Sequence, residues 1–87
     1  MKIKEGFVKK EIAGQNVVIA LGEASKIFNG IIKLNETGGF IWGMLESGCD
    51  RDQIVQAMLD EYDVDRATAE NDFDRFTDTL KGAGIIE

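Results

Sequence analysis

The chain contains no histidine and a single cysteine, Cys49. Without histidine, the usual general base near neutral pH and the commonest zinc ligand are both missing. A Ser/His/Asp set is thereby excluded. One cysteine forms neither an internal disulfide nor a multi-cysteine metal site. No glycine-rich phosphate loop followed by lysine occurs. No stretch approaches the ~20 apolar residues that a transmembrane helix needs. The opening Met1-Lys2-Ile3-Lys4-Glu5-Gly6 lacks the apolar core of about 7–15 residues that marks a secretion signal. These absences lead to the expectation of a cytoplasmic, non-catalytic binder that needs neither metal nor cofactor.

What is present sets further bounds. The 87 residues suffice for one domain, 1–87, and are too few for two. A chain of this size buries about 60–65% of the surface its unfolded form exposes, so one modest core must carry the stability. Charge is unevenly spread. Residues 1–34 set six lysines against three glutamates, a net +3, whereas residues 35–87 set four basic against thirteen acidic residues, a net −9. An acidic helical half repels phosphate backbones, which basic side chains must neutralise for nucleic-acid affinity. Neither nucleic acid nor membrane is an expected partner.

The pattern changes near Asn35. Before it, runs of Val, Ile and Phe are broken by Gly and Asn, as in strands and turns. The sequence predicts strands over Phe7–Ala13 and Val17–Leu21, joined by a tight turn at Ala13-Gly14-Gln15-Asn16. A loop is expected at Gly22–Ser25 and a third strand at Gly30–Leu34. Asn29-Gly30 is also a two-residue hairpin signal that would pair Lys26–Phe28 with Ile31–Leu34. The loop reading is preferred, because Lys26-Ile27-Phe28 is short for an independent strand.

After Asn35 the apolar period is helical. Asn35 suits an N-cap, and Phe40, Ile41, Met44 and Leu45 share one face with Trp42 beside it, ending at Gly48. Gly38 and Gly39 each cost this helix up to ~1 kcal/mol relative to Ala. They are tolerated either in a first turn or where another backbone comes close. Asp50 caps a second helix bearing Ile54, Val55, Met58, Leu59 and Tyr62. Asp65 caps a third, whose Ala69, Phe73, Phe76, Leu80 and Ala83 make a narrow stripe closed by Gly82 and Gly84. Ile85-Ile86 is left as an apolar tail. Three strands cannot bury their apolar face alone, and neither can three short helices. The expected fold class is α+β: a three-stranded antiparallel sheet followed by a three-helix bundle, winged helix-turn-helix-like.

Leu34-Asn35-Glu36-Thr37-Gly38-Gly39-Phe40-Ile41-Trp42 resembles the "LNxTGxxIW" signature of the PqqD family, named after the D protein of pyrroloquinoline quinone biosynthesis. The resemblance continues through Asp52-Gln53-Ile54-Val55, Met58-Leu59 and Tyr62. It extends to Asn71-Asp72-Phe73, Phe76, Leu80 and the closing Gly84-Ile85-Ile86-Glu87, so that residues 6–87 are covered. Apolar residues at helical spacing are common; the nonapeptide with its downstream segments correctly spaced is specific. The Gly22–Asn29 connection is longer than the short turn of founding members, which points to a PqqD-like branch.

The resemblance implies a RiPP recognition element. Such proteins bind the leader segment of a ribosomally made precursor peptide and present it to a tailoring enzyme, often a radical SAM protein. The leader adds as a strand to the edge of the third strand, and the third helix forms the other wall of the groove. The implied peptide-binding residues are Gly30, Ile31, Ile32, Lys33 and Leu34 on the strand, with Phe73, Phe76 and Leu80 beneath and Asp74 and Thr77 at the rim. Strand addition suits Gly30–Leu34, which has no proline to remove a backbone donor. Burying a Leu- or Phe-type leader residue there contributes roughly 1.5–3 kcal/mol. An edge that would otherwise invite aggregation is retained because it is the site.

Plainer readings stand beside these. Phe73, Phe76 and Leu80 also read as core, Trp42 as a core anchor, Asn35 as a cap and the acidic runs as solvated faces. Cys49 has no neighbouring histidine or cation to activate it. The alternative from another class is a winged-helix DNA-binding regulator, but residues 66–81 offer only Arg66, Arg75 and Lys81 against four acids. A third reading is a structural subunit that docks on an enzyme without a peptide ligand. The expected oligomeric state is a monomer or weak dimer.

Overall fold

The structure, a computed structural model, describes residues 1–27 and 30–87. β1 (Phe7–Ile12) and β2 (Gln15–Ala20) pair antiparallel in the register Phe7↔Ala20 to Ile12↔Gln15. Their two-residue loop is Ala13-Gly14, both with positive φ (53° and 79°). That is the backbone of a type I′ turn, whose twist matches that of the strands it joins. Gly14 takes this conformation freely, whereas Ala13 is the one non-glycine in the left-handed region among the described residues.

After β2 the chain makes one helical turn, α1 (Ala24–Ile27), where a loop was expected over Gly22–Ser25. The turn is held locally. Ser25 Oγ donates to the Gly22 carbonyl at 2.6 Å, and exposed Glu23 and Lys26 pair at 3.3 Å. Ala24 is buried, and a Cβ on Gly6 (φ 92°) would stand 2.7 Å from the Ala24 Cβ and 2.8 Å from the Leu21 carbonyl oxygen. Four residues are too few to show a helical period, which is why the turn escapes the sequence pattern. The alternative hairpin through Asn29-Gly30 involves Phe28 and Asn29, which lie outside the described residues. β3 (Ile31–Leu34) pairs instead with β2, from Asn16↔Leu34 to Ile19↔Ile31.

The sheet order is β1-β2-β3, so β2 is central and β3 is an edge. Helices α2 (Glu36–Glu46), α3 (Arg51–Glu61) and α4 (Arg66–Gly82) follow. Each starts at the expected cap: Asn35, Asp50 and Asp65 accept from the N–H of Gly38, Gln53 and Thr68 at 2.7, 2.8 and 2.7 Å. Gln53 also reaches back to the Asp50 N–H, completing a capping box. α2 and α4 both end in a Schellman motif. Gly48 (φ 85°) and Gly84 (φ 76°) supply the left-handed residue, and Cys49 and Ile85 donate to the carbonyls of Met44 and Leu80.

The core lies between the inner face of the sheet and the helices. It joins Phe7, Val18 and Leu34 to Ile41, Trp42, Ile54, Val55, Met58, Phe73 and Leu80. The apolar tail is part of it. Ile85 and Ile86 are buried, Ile86 bridges Ile3, Lys4 donates to the Ile85 carbonyl at 2.8 Å, and Glu87 to that of Lys2 at 3.0 Å. Among the described residues, no helix is long and apolar enough to cross a membrane.

Candidate functional site: an open strand edge beside a helical groove

β3 pairs with β2 on one side and with no strand among the described residues on the other. Its burial alternates: Ile31 and Lys33 are exposed, Ile32 is half-buried and Leu34 is buried. Successive side chains of a strand point to opposite faces, so Ile32 and Leu34 look toward the helices and Ile31 and Lys33 away from them. Gln15 Nε2 donates to the Leu34 carbonyl at 2.8 Å, fastening the end of β3 to the hairpin.

Beside the open edge runs a groove made of two adjoining cavities. The first, about 480 Å³, is lined by Gln15, Ile32, Lys33, Leu34, Asn35, Phe76 and Thr79. The second, about 290 Å³, continues between α4 and the start of α2, where Thr37, Gly38, Ile41, Asp72 and Arg75 join Asn35, Phe76 and Thr79. Phe76, half-buried, stands between them and contributes to both. Its ring closes on α2: a Cβ on Gly38 would lie 3.1 Å from the ring and 3.1 Å from Asn35 Oδ1. Gly39 in turn faces the Asn16 side chain, 3.3 Å from the position of an added Cβ. Both glycines therefore sit in the first turn and yield to close approach, and the approaching groups are side chains rather than another backbone.

Helical phase explains how α4 serves core and groove together. At about 100° per residue, Asp72, Arg75, Phe76 and Thr79 share one side, whereas Ala69, Phe73, Thr77 and Leu80 lie about a quarter-turn away. The second group is the core face, every member at 2% exposure or less. The residues named from sequence thus divide. Ile32, Lys33, Leu34 and Phe76 line the groove, and Gly30 and Ile31 are exposed at the start of β3. Phe73 and Leu80 are interior residues behind the groove wall. Thr77, expected at the rim, is buried, its hydroxyl donating to the Asp74 carbonyl at 3.2 Å. Asp74 lies on the other flank of α4, facing α3. There its carboxylate accepts from Arg51 at 3.1 and 3.2 Å, and the Arg51 guanidinium stands 5.9 Å over the Phe73 ring. The hydrogen bonds to Asp74 raise the Arg51 pKa above its ordinary value.

Sequence reasoning missed Gln15, Thr37, Asp72, Arg75 and Thr79 as groove residues. They are polar, so no apolar period marks them, and three come from α4 positions that read as solvated. Asp72, Arg75 and Lys33 make no ion pair with any described residue and are available to a ligand. Among the described residues, no cluster of three His, Cys, Asp or Glu side chains is placed to hold a metal ion.

Fold and site define a small α+β protein with an unpaired sheet edge set along a helical groove. The chain belongs to the PqqD family: residues 15–86 match the family described as coenzyme PQQ synthesis protein D. Among solved structures, TbiB1 in complex with the TbiA(beta) leader peptide is 32% identical with a TM-score of 0.82, covering 100% of this chain and 95% of that one. Lasso peptide synthetase B1 complexed with the leader peptide superposes with a TM-score of 0.80 at 21% identity, covering 99% and 95%. No curated protein matches the chain significantly.

Proposed function

We propose that this protein binds the leader segment of a ribosomally synthesised precursor peptide without catalysing a reaction, and presents it to a tailoring enzyme of the radical SAM class. The observation that carries this reading is the open edge of β3 alongside the Phe76 groove, in a chain 32% identical over its whole length to a protein solved with a leader peptide. Backbone groups on the free edge supply affinity, and alternate side chains of the added strand reach the groove for specificity. The proposed contacts are Gly30–Leu34 and Phe76 from the sequence reading, joined by Asp72, Arg75 and Thr79. Phe73, Thr77 and Leu80 support that wall from inside. A DNA-binding role has less behind it: Arg66 is committed to Glu70 at 3.1 Å, leaving Arg75 and Lys81 on an acidic helix.

A fluorescently labelled leader peptide titrated into the protein tests the proposal. Micromolar or tighter binding is expected, and no binding at tens of micromolar overturns it. Proline replacements at Ile32 and Lys33 locate the contact. Neighbouring residues of an edge strand direct their N–H groups to opposite sides, so one proline breaks the ladder to β2 and the other removes an outward donor. The variant that keeps its fold should lose binding.

A further inference from the structure

The sheet register sorts side chains onto two faces, because directly paired residues of antiparallel strands point the same way. Phe7, Val18, Ile32 and Leu34 look into the core. The opposite, outer face is built in rows: Val8, Ile19 and Ile31 form one, and Lys10, Val17 and Lys33 the next. Leu21 donates to the Gly6 carbonyl at 2.7 Å, continuing β2 past the first row on this same face. Ile12 lies beyond the second row.

Ile31, Ile12 and Leu21 are 60%, 54% and 50% exposed, and with Met1 they are the large apolar side chains most open to solvent among the described residues. All come from the first 34 residues, and none from the acidic helical half. The only charges in the rows are Lys10 and Lys33, which flank the buried Val17. Leu21 and the Val8–Ile19–Ile31 row make an apolar patch with two cations and no acid in the next row, the composition of a surface that meets a protein partner.

We infer that the outer face of the sheet docks a second protein whose own patch is apolar with an acidic rim: the tailoring enzyme that receives the peptide. The identity of that partner rests on the leader-presentation reading above. Charge complementarity selects the occupant. A second copy of this chain offers acid on α2–α4 but, among the described residues, no large exposed apolar side chain there. An anionic membrane would meet only Lys10 and Lys33 in these rows, fewer cations than a polybasic membrane contact uses. Position supports the choice as well. β3 offers its edge to the leader and its outer face, through Ile31 and Lys33, to the partner, so an enzyme seated there lies beside the strand-bound peptide.

The test uses the proposed radical SAM tailoring enzyme, purified separately and immobilised. It is titrated with the full chain as wild type, Leu21→Glu and Lys10→Glu, both outside the peptide groove. Labelled leader peptide is titrated into the same three proteins. Enzyme affinity should fall at least about tenfold in each variant and weaken with salt in the wild type, while leader affinity stays within about twofold. Lys10→Glu changes only an exposed side chain, so it remains informative if Leu21→Glu is poorly folded. Unchanged enzyme affinity in both variants overturns the inference and leaves leader presentation standing. If the wild type ignores the leader while the enzyme effect persists, docking stands and presentation falls. An equal loss from Asp60→Lys with Glu61→Lys moves docking to the helices. A wild-type dimer dissolved by Leu21→Glu assigns the face to a second copy. Either result overturns the inference.

Discussion

Two glycines of α2 make an internally controlled test of the packing at the groove. Replacing glycine by alanine inside a helix contributes up to about 1 kcal/mol, because the unfolded chain loses freedom and the helix gains an ordinary residue. At Gly43 an added Cβ meets nothing within 4 Å, so Gly43→Ala should realise most of that gain. At Gly38 the same methyl lands 3.1 Å from both the Phe76 ring and Asn35 Oδ1, whose bond to the Gly38 N–H is the helix cap. Loosening a cap costs about 1 kcal/mol, so Gly38→Ala should be neutral or destabilising. The two variants should therefore differ by roughly 1–2 kcal/mol, or about 4–16 °C in Tm for a domain of this size. Urea and thermal unfolding followed by circular dichroism read the difference. Displacement of the Phe76 ring should also weaken leader binding in Gly38→Ala alone. If Gly38→Ala stabilises as much as Gly43→Ala, the contact between α2 and Phe76 is not tight and the account of the groove wall is wrong.

Other perturbations separate core from groove. Phe76→Ala should leave the protein folded but lower leader affinity at least about tenfold in a fluorescence anisotropy titration, since a half-buried ring shared by two cavities is lost. Phe73→Ala, at 1% exposure, should cost about 3–5 kcal/mol, much of the margin of a small domain, and appear first as a collapse of the urea midpoint. The Thr68 hydrogen bonds lower the Asp65 pKa beneath its ordinary 3.8. A depressed carboxyl pKa contributes stability that is present above the ordinary value and lost as pH falls through the lowered one. Acid titration below about pH 4 should accordingly fray the start of α4 in the wild type, and Asp65→Asn, which caps without titrating, should flatten that slope.

Local signals were the legible ones. Asn35, Asp50 and Asp65 act within three residues of themselves, so each cap and helix start is readable from adjacent letters, and Gly48 and Gly84 mark their ends in the same way. The edge position of β3 was also within reach, because a short Ile-rich run with no proline, following a hairpin, pairs with the nearer strand. The division of labour on α4 was not. Phe73 and Phe76 are equally apolar, and only the placement of α2, set by residues some forty positions earlier, decides which one meets the groove. Thr77 was placed at the rim of the groove that the resemblance implies; in the structure its hydroxyl is satisfied within its own helix, which allows burial. The polar lining escaped for the converse reason, since Thr79 becomes a neighbour of β3, and Asp72 and Arg75 of the start of α2, only through tertiary packing.

The bridge between Ile3 and Ile86 has a consequence for the order of assembly. It joins two segments far apart in sequence, so the hairpin and the helices, whose contacts are more local, can form before this clasp closes. Until it does, Ile85 and Ile86, interior in the finished fold, have no shelter, and Lys2 and Lys4 lack their backbone partners. Removing Gly84–Glu87 would thus loosen both sides of the clasp at once.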